Sequence, residues 1–288
     1  MIAINDILSR RRVRGAISGA CIYIFLSAGA FLCLLPLIWM ISTSLKEPGN
    51  VFLYPPQWIP RPVRWENYAE IFTEWPFLTY LRNTMTITFL HIVGVTLSSA
   101  LVAYAFSHLR WPGRGVCFIM CMATMMLPGQ VTMAPTFIMF VKLGWLDSFK
   151  PLVVPAFFGS AFFIFLLRQF FRTIPRSLIE AARIDGCGEW RIFFFIMMPL
   201  SVPALLITGI YTFIGSWNDF MGPLIYLSSD SKRTLALALA YFGQSFISGI
   251  TLHTLMAASL IVMLPCIVLF FALQKHFMQG MVFSGLKE

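Results

Sequence analysis

Long apolar runs that are almost free of formal charge recur along the whole chain, and they constrain its fold more than any other feature. Six runs are long enough to cross the roughly 30 Å hydrocarbon core of a membrane as helices. They cover about 15–45, 84–107, 115–141, 151–167, 199–227 and 251–273. The third run contains Pro128 and Pro135, which predict a kink or break within it. The predicted fold is an all-α integral membrane protein with six transmembrane helices.

The composition of the 288 residues excludes the other fold classes. Apolar residues make up 58% of the chain and charged residues 11%, whereas soluble domains average about 25% charged. With 21 basic and 12 acidic side chains, a globule of this size could not cover its surface. The same numbers exclude a disordered chain and a secreted disulfide scaffold. No C-x-x-C pair is present, so neither a zinc site nor a redox pair is predicted.

Basic residues are distributed unevenly between the loops, and this predicts the orientation. With the amino terminus inside, the cytoplasmic segments carry 13 Lys and Arg and the outer segments 8, so both termini are expected in the cytoplasm. The basic residues form no stripe with interleaved aromatics, so no nucleic-acid partner is predicted. The arginines at 10–14 precede a run too long for a signal peptide, which favours a membrane anchor. The predicted organisation is a basic terminus (1–15), a transmembrane domain (16–273) containing a cytoplasmic loop (168–198), and a cytoplasmic tail (274–288).

The loop 168–198, between the fourth and fifth runs, predicts a short amphipathic helix. Pro175 suits its first turn, and Glu180 can form an ion pair with Arg183 three positions on. Apolar and small side chains recur at helical spacing, at Leu178, Ile179 and Ala182. This helix stands outside the bilayer, and its apolar side chains have no obvious core within the chain to contact.

A second helix is expected after the first one. Gly186 suits the left-handed end of the first helix, and a helical stretch over 189–198 then leads to Pro199, where the fifth span is expected to begin. The exposed apolar face of the first helix favours a docking partner. A helix lying on the membrane surface, which needs no partner, is the alternative that these residues leave open.

Five residues at fixed spacing in this loop carry a family resemblance. Glu180, Ala181, Ala182, Asp185 and Gly186 resemble the EAA loop of the permease subunits of ABC importers. The resemblance implies that this helix couples the permease to an ATPase subunit by docking into a groove of that subunit. Neighbouring residues expected to take part are Leu178, Ile179 and Arg183.

The resemblance extends over about residues 36–285. It includes Ser44-Leu45-Lys46 with Asn67-Tyr68, Leu109-Arg110 with Pro112-Gly113-Arg114, and Trp217-Asn218-Asp219-Phe220. The chain is most similar to the carbohydrate branch of these permeases, the maltose and glycerol-phosphate type, and within it to the second and shorter permease of the pair.

The resemblance also implies partners and a location. The expected partners are a second permease subunit in a heterodimer, two ATPase subunits, an extracytoplasmic solute-binding protein, a carbohydrate substrate and the lipid of the bacterial inner membrane. This chain is expected to bind no cofactor and to be no enzyme, with ATP and Mg on the ATPase subunits. The sequence agrees, because it contains no G-x-x-x-x-G-K-[ST] loop for a phosphate.

Asp219 is the one formally charged side chain within the predicted spans, and its burial is costly unless it faces water, protein or a partner. Beside an indole and an amide, it suits a sugar, which binds by stacking and hydrogen bonds. The structural alternative is a cap on a helix break before Gly222, a gating role, or an ion pair with an arginine. The residues predicted for the substrate path are Trp217, Asn218, Asp219, Gln130 and Thr132.

Two other function classes agree less well with the sequence. A secondary transporter usually has paired intramembrane charges or inverted repeats. A membrane enzyme would show a H-E-x-x-H or G-x-S-x-G motif or a cluster of histidines and carboxylates. An ABC permease for a non-sugar solute, such as a glycerol phosphate, an amino acid or a peptide, is the alternative left open, since the sequence does not identify the solute.

Overall fold

The computed structural model describes residues 2–245 and 252–285, and every regular element in these two ranges is helical. This confirms the predicted all-α fold class. The α-helices are α1 (Ile2–Ser44), α2 (Glu66–Glu74), α3 (Phe77–His108), α4 (Arg114–Ala123), α5 (Gly129–Lys142), α6 (Lys150–Val153), α7 (Ala161–Phe171), α8 (Arg176–Ile184), α9 (Glu189–Ile192), α10 (Met198–Leu200), α11 (Val202–Trp217), α12 (Met221–Tyr226), α13 (Leu235–Ser245) and α14 (Leu252–Gly285). Short 3-10 helices cover Pro48–Asn50, Thr124–Met126, Val154–Phe158 and Asp230–Lys232, and a π-helical turn covers Phe193–Met197.

Four helical segments of the described chain are long and apolar enough to cross a membrane: Cys21–Ser44, Phe77–His108, Lys150–Phe171 and Leu252–Gln274. Two further pairs of helices meet the same test together but are bent at a short break, so the number rises to six if each pair is one span. These six segments overlap the six apolar runs of the sequence.

The first bent pair follows from a single proline. Arg114–Met126 and Gly129–Lys142 meet at 99°, with Leu127 and Pro128 extended between them. A proline disfavours the helical conformation of the residue before it and lacks the N–H of a continuing helix. The predicted break at Pro128 is therefore confirmed. Pro135 lies inside α5, which continues through it.

The second bent pair lies later in the chain than expected. Glu189–Leu200 and Val202–Trp217 meet at 79°, so the helix continues through Pro199 and breaks at Ser201. The prediction that the fifth span begins at Pro199 is wrong by three residues. Pro199 has no N–H to donate, and it lies just after the π-helical turn Phe193–Met197, where the regular helical hydrogen-bond pattern is already interrupted. The span also ends early, at Trp217, and α12 follows as a separate helix.

The chain divides into two compact units, Met1–Thr73 with Ser245–Ile261 and Glu74–Gln244 with Val262–Glu288. In the first unit, Asn67 closes the end of α1: its Nδ2 donates to the carbonyl oxygens of Ser44 at 2.8 Å and Lys46 at 2.9 Å. The Ser44 hydroxyl lies 2.9 Å from that of Tyr68. Ser44, Lys46, Asn67 and Tyr68, which carry part of the family resemblance, thus form one hydrogen-bonded group. This group satisfies backbone carbonyls at the end of α1.

In the second unit α3 is the central helix. Ala100 and Ala103 are fully buried and let α3 approach its neighbours closely. They pack with Tyr104 against Leu167 and Phe171 of α7 in the core of this unit. The same core includes residues of α8, the π-helical turn and α11, so the loop 168–198 is part of the main packing of the unit.

Candidate functional site

Helix α8 is the element that carries the predicted coupling motif. It begins at Arg176, directly after Pro175, which is extended (φ −58°, ψ 128°) and precedes the helix instead of forming its first turn. The helix ends at Ile184. Nine residues at about 1.5 Å each make an element about 13 Å long, which is short enough to present a few side chains as a rigid group.

The end of α8 is a glycine cap of the Schellman type. Gly186 has φ +80°, its N–H donates to the Arg183 carbonyl oxygen at 3.1 Å, and the Cys187 N–H donates to that of Ala182 at 2.9 Å. This pair of bonds satisfies the last carbonyls of a helix and requires a left-handed residue. The predicted left-handed cap is confirmed. No heavy atom lies within 4 Å of where a Cβ on Gly186 would stand, so the requirement is conformational and not steric.

One face of α8 is buried in the chain's own core. Ile179 is 2% exposed, and it packs with Ala182 among Phe171 of α7 and Ile192 of α9. The expectation that these apolar side chains have no intramolecular core is therefore wrong for Ile179 and Ala182. The core they enter is completed by Ala100, Ala103 and Tyr104 of α3, which is distant in sequence, and helical spacing alone cannot reveal such a contact.

The opposite face of α8 is exposed. Leu178 is exposed and Ile184 is 86% exposed, and Glu180, Ala181 and Asp185 are exposed between them. The five motif residues thus divide between three roles: Ala182 packs inward, Gly186 makes the turn, and the other three face outward. The apolar character of this exposed face is typical of a contact surface.

The ion pair of Arg183 differs from the predicted one. Its Nε donates to Oε1 of Glu189 at 2.8 Å, across the Gly186 turn, and the Glu189 Oε2 accepts a hydrogen bond from the Tyr104 hydroxyl at 2.5 Å. The predicted pairing of Arg183 with Glu180 is wrong, because the turn brings α9 within reach of the guanidinium. The bond to the Glu189 carboxylate raises the pKa of Arg183. It ties α8 to α9 and α3.

The residues predicted for the substrate path make mainly local contacts. Trp217 is 2% exposed, and its Nε1 donates to the Val262 carbonyl oxygen at 3.1 Å. Asn218 is exposed, and its Nδ2 donates to the Ile214 carbonyl oxygen at 2.8 Å. The adjacent Trp217 and Asn218 therefore do not present one shared surface.

Asp219 caps the break after α11. Its Oδ1 accepts a hydrogen bond from the backbone N–H of Gly222 at 3.1 Å, as the structural alternative predicted. A Cβ on Gly222 would stand 2.5 Å from Oδ2 of Asp219, so a glycine is needed for this close approach. Gln130 and Thr132 are exposed in the first turn of α5, where Thr132 donates to the Gly129 carbonyl oxygen at 3.0 Å. Among the described residues, no hydrogen bond joins this turn to Asp219.

Residues 94–282 match the protein family described as "binding-protein-dependent transport system inner membrane component". The chain belongs to this family. The match begins within α3 and includes α8, its glycine cap and the break at Asp219. The chain is therefore a multi-pass inner membrane permease, and the family predicted from the EAA residues is confirmed.

Individual relatives cover nearly the whole permease. It is 34% identical over 91% of its length to the sn-glycerol-3-phosphate transport system permease protein UgpE of Yersinia pestis bv. Antiqua, covering 95% of that protein. It is 31% identical over 90% of its length to the arabinooligosaccharides transport system permease protein AraQ of Halalkalibacterium halodurans, covering 92% of it. These relatives are permease subunits of transport systems.

A solved structure has the same fold. A chain of the crystal structure of a bacterial ABC transporter involved in the import of the acidic polysaccharide alginate matches the permease with a TM-score of 0.81 and 26% identity. The match covers 91% of the permease and 96% of that chain. The fold is thus that of an ABC transporter subunit.

The roles of two residues of the permease site cannot be predicted from the sequence. Glu189 and Tyr104 lie 85 positions apart and hold the Arg183 end of α8. In the sequence, Glu189 is an acidic residue at the start of the second helical stretch, and Tyr104 is one residue of the second span. No local pattern joins them.

Proposed function

We propose that the permease forms half of the translocation pathway of an ATP-driven importer for a carbohydrate, and that α8 couples it to an ATPase subunit. The relatives support this proposal: one is named for arabinooligosaccharides, and the solved structure belongs to a transporter of alginate, an acidic polysaccharide. The relative named for sn-glycerol 3-phosphate supports a second candidate, a small phosphorylated polyol.

The observation that carries the coupling proposal is the two-sided packing of α8. Ile179 and Ala182 are locked into the core with Phe171, while Leu178 and Ala181 face outward. Close-packed cores transmit displacement because they do not deform continuously. A protein that pushes on the outer face therefore moves α8 together with α3 and α7, which cross the membrane.

The other functions of the transporter belong to partner chains in this proposal. Two ATPase subunits bind ATP and Mg and hydrolyse the nucleotide, a second permease completes a heterodimer, and a binding protein delivers the solute. Both termini and the loop 168–198 lie in the cytoplasm in this arrangement. Closure of the ATPase pair favours the outward-open state, and hydrolysis returns the cavity inward.

Docking is tested by enlarging the exposed face without touching the core. Ala181→Arg places a long cation on that face and is expected to reduce co-purification of the ATPase subunits at least about tenfold, since a charge buried at an interface without a partner is costly. Thr173→Arg, at an exposed position before α8, is the control. Equal recovery of ATPase with both variants would contradict the docking role of α8.

The solute is tested in proteoliposomes that contain the complete transporter. ATP-dependent uptake of labelled oligosaccharides is compared with uptake of sn-glycerol 3-phosphate, each delivered by the system's own binding protein. We expect oligosaccharide uptake. Uptake of the phosphorylated polyol alone would establish the second candidate, and concentrative uptake by the permease without ATPase subunits would overturn the proposed function.

A further inference from the structure

A basic cleft lies beside α8, on the side turned to the end of α3. Its volume is about 340 Å³. The residues that give it its character are four arginines, one carboxylate and a histidine: Arg110, Arg114, Arg176, Arg183, Glu180 and His108. Four guanidinium groups around one carboxylate make the cleft strongly positive, a setting that attracts an anion.

Two of the four arginines are already engaged within the chain. Arg114 donates from Nη1 to the Leu109 carbonyl oxygen at 2.8 Å, and Arg183 is paired with Glu189. Arg110 and Arg176 are both exposed, and neither has a hydrogen-bond or ion-pair partner among the described residues. The cleft therefore offers two guanidinium groups with unused donors, and guanidinium groups match the oxygens of phosphates and carboxylates.

The ends of two apolar helical segments lie at the cleft, and such ends are expected where hydrocarbon gives way to lipid headgroups. Helix α3 is apolar enough to cross the membrane and ends at His108, and the next membrane segment begins at Arg114. Between them, Trp111 is partly exposed and packs against Phe106 with 5.9 Å between ring centroids. Tryptophan is enriched at this interface. Basic pockets between membrane helices at this depth suit the headgroups of anionic lipids.

We propose that this cleft binds the phosphate group of an anionic phospholipid, held by Arg110 and Arg176. The lipid bridges the α3–α4 connection and the start of α8, two segments that come 66 positions apart in sequence. Glu180 disfavours any further negative charge on the ligand and so selects a singly charged headgroup. The proposal does not depend on the solute. Because Arg176 and Glu180 lie on α8, the test below also measures recovery of the ATPase subunits, so that failure of the lipid site and failure of the docking role are distinguishable.

The test measures lipid binding to the purified full-length chain, with the subunits that co-purify, by native mass spectrometry. Phosphatidylglycerol is titrated against the unmodified protein, against Arg110→Gln/Arg176→Gln, and against Arg82→Gln/Lys142→Gln, a control that removes two exposed charges elsewhere. We expect about tenfold weaker binding in the cleft variant, the loss that corresponds to about 1.4 kcal/mol, and unchanged binding in the control. Equal binding by all three proteins would overturn the proposal.

Three further measurements identify the ligand of the cleft. Phosphatidylcholine, which carries no net charge, is expected to bind weakly and without dependence on the two arginines. If inorganic phosphate binds with dependence on Arg110 and Arg176 while phosphatidylglycerol does not, the ligand is a soluble phosphate and the lipid proposal is wrong. If the cleft variant loses ATPase subunits while its lipid binding is unchanged, the arginines serve an acidic surface of that protein and the lipid proposal is wrong.

Discussion

Helix α8 with its glycine turn and the break after α11 are both irregular segments that carry polar motifs, yet they use their polar groups in opposite ways. At the break, Trp217, Asn218 and Asp219 each make a hydrogen bond to the backbone of their own chain. On α8, Glu180 and Asp185 face outward without an ion pair among the described residues.

The difference follows from the surroundings of the two segments. A break within a membrane span frees backbone N–H and C=O groups that water cannot reach, so nearby polar side chains must satisfy them first. A helix end at the surface can use water or a glycine cap for the same purpose. Polar side chains of a motif within a span are therefore used first to satisfy the backbone. Polar side chains of a motif at the surface remain available to a partner.

The sharpest test of this comparison is Trp217→Ala. Removing a buried indole costs about 3 kcal/mol in protein cores, and the Val262 carbonyl oxygen loses its donor as well. We expect the thermal unfolding temperature of the detergent-solubilised protein to fall markedly. Trp190→Ala removes an indole that is 65% exposed and is expected to change the free energy of unfolding by less than about 0.5 kcal/mol. A similar loss in both variants would contradict the assignment of Trp217 to the packing.

Gly186→Val is the strongest test of the coupling segment. A β-branched residue resists the left-handed conformation, which costs roughly 1–2 kcal/mol even for an ordinary residue, so α8 and α9 must reorient. We expect normal insertion, but ATP-dependent uptake and stimulated ATPase activity reduced about tenfold. Gly188→Val is the matched control, because Gly188 has φ −71° and open space around it. Full uptake by Gly186→Val would remove the turn from the mechanism.

Glu189→Gln tests the brace between α8 and α9. The pair with Arg183 is partly exposed, so its loss is expected to lower the free energy of unfolding by less than about 1 kcal/mol. Uptake is expected to fall about twofold. A twofold change corresponds to about 0.4 kcal/mol, which lies within the loss expected from breaking this ion pair. Glu180→Gln removes a carboxylate without an ion pair and should leave thermal stability unchanged. If Glu180→Gln is the more destabilising change, Arg183 pairs as the helical spacing first suggested.

Asp219→Asn is expected to have only a small effect on stability. The amide oxygen of asparagine still accepts the Gly222 N–H, so the free energy of unfolding should change by less than about 0.5 kcal/mol, whereas Asp219→Ala loses the cap and about 1 kcal/mol. The two variants are compared for uptake and for solute preference. Unchanged uptake and preference in Asp219→Asn assign the carboxylate to the cap alone, and a changed preference at unchanged stability places it on the substrate path.

Features that depend only on neighbouring residues were predictable from the order of the amino acids. The length of an uncharged run predicts a membrane span, the missing N–H of Pro128 predicts the break before α5, and the cap of α8 needs a glycine at Gly186. Each of these follows from the covalent structure of a few consecutive residues, so no knowledge of the packing is required.

The partners of individual side chains depend instead on how the helices pack in three dimensions. Whether Ile179 faces a core or a partner depends on its packing with α7 and with α3, which is distant in the chain. Arg183 pairs with Glu189 because the turn brings α9 close, and Trp217 is buried because α14 lies against it. The energies that choose among such contacts are small compared with those that bury an apolar run, and they depend on three-dimensional neighbours that no local spacing encodes.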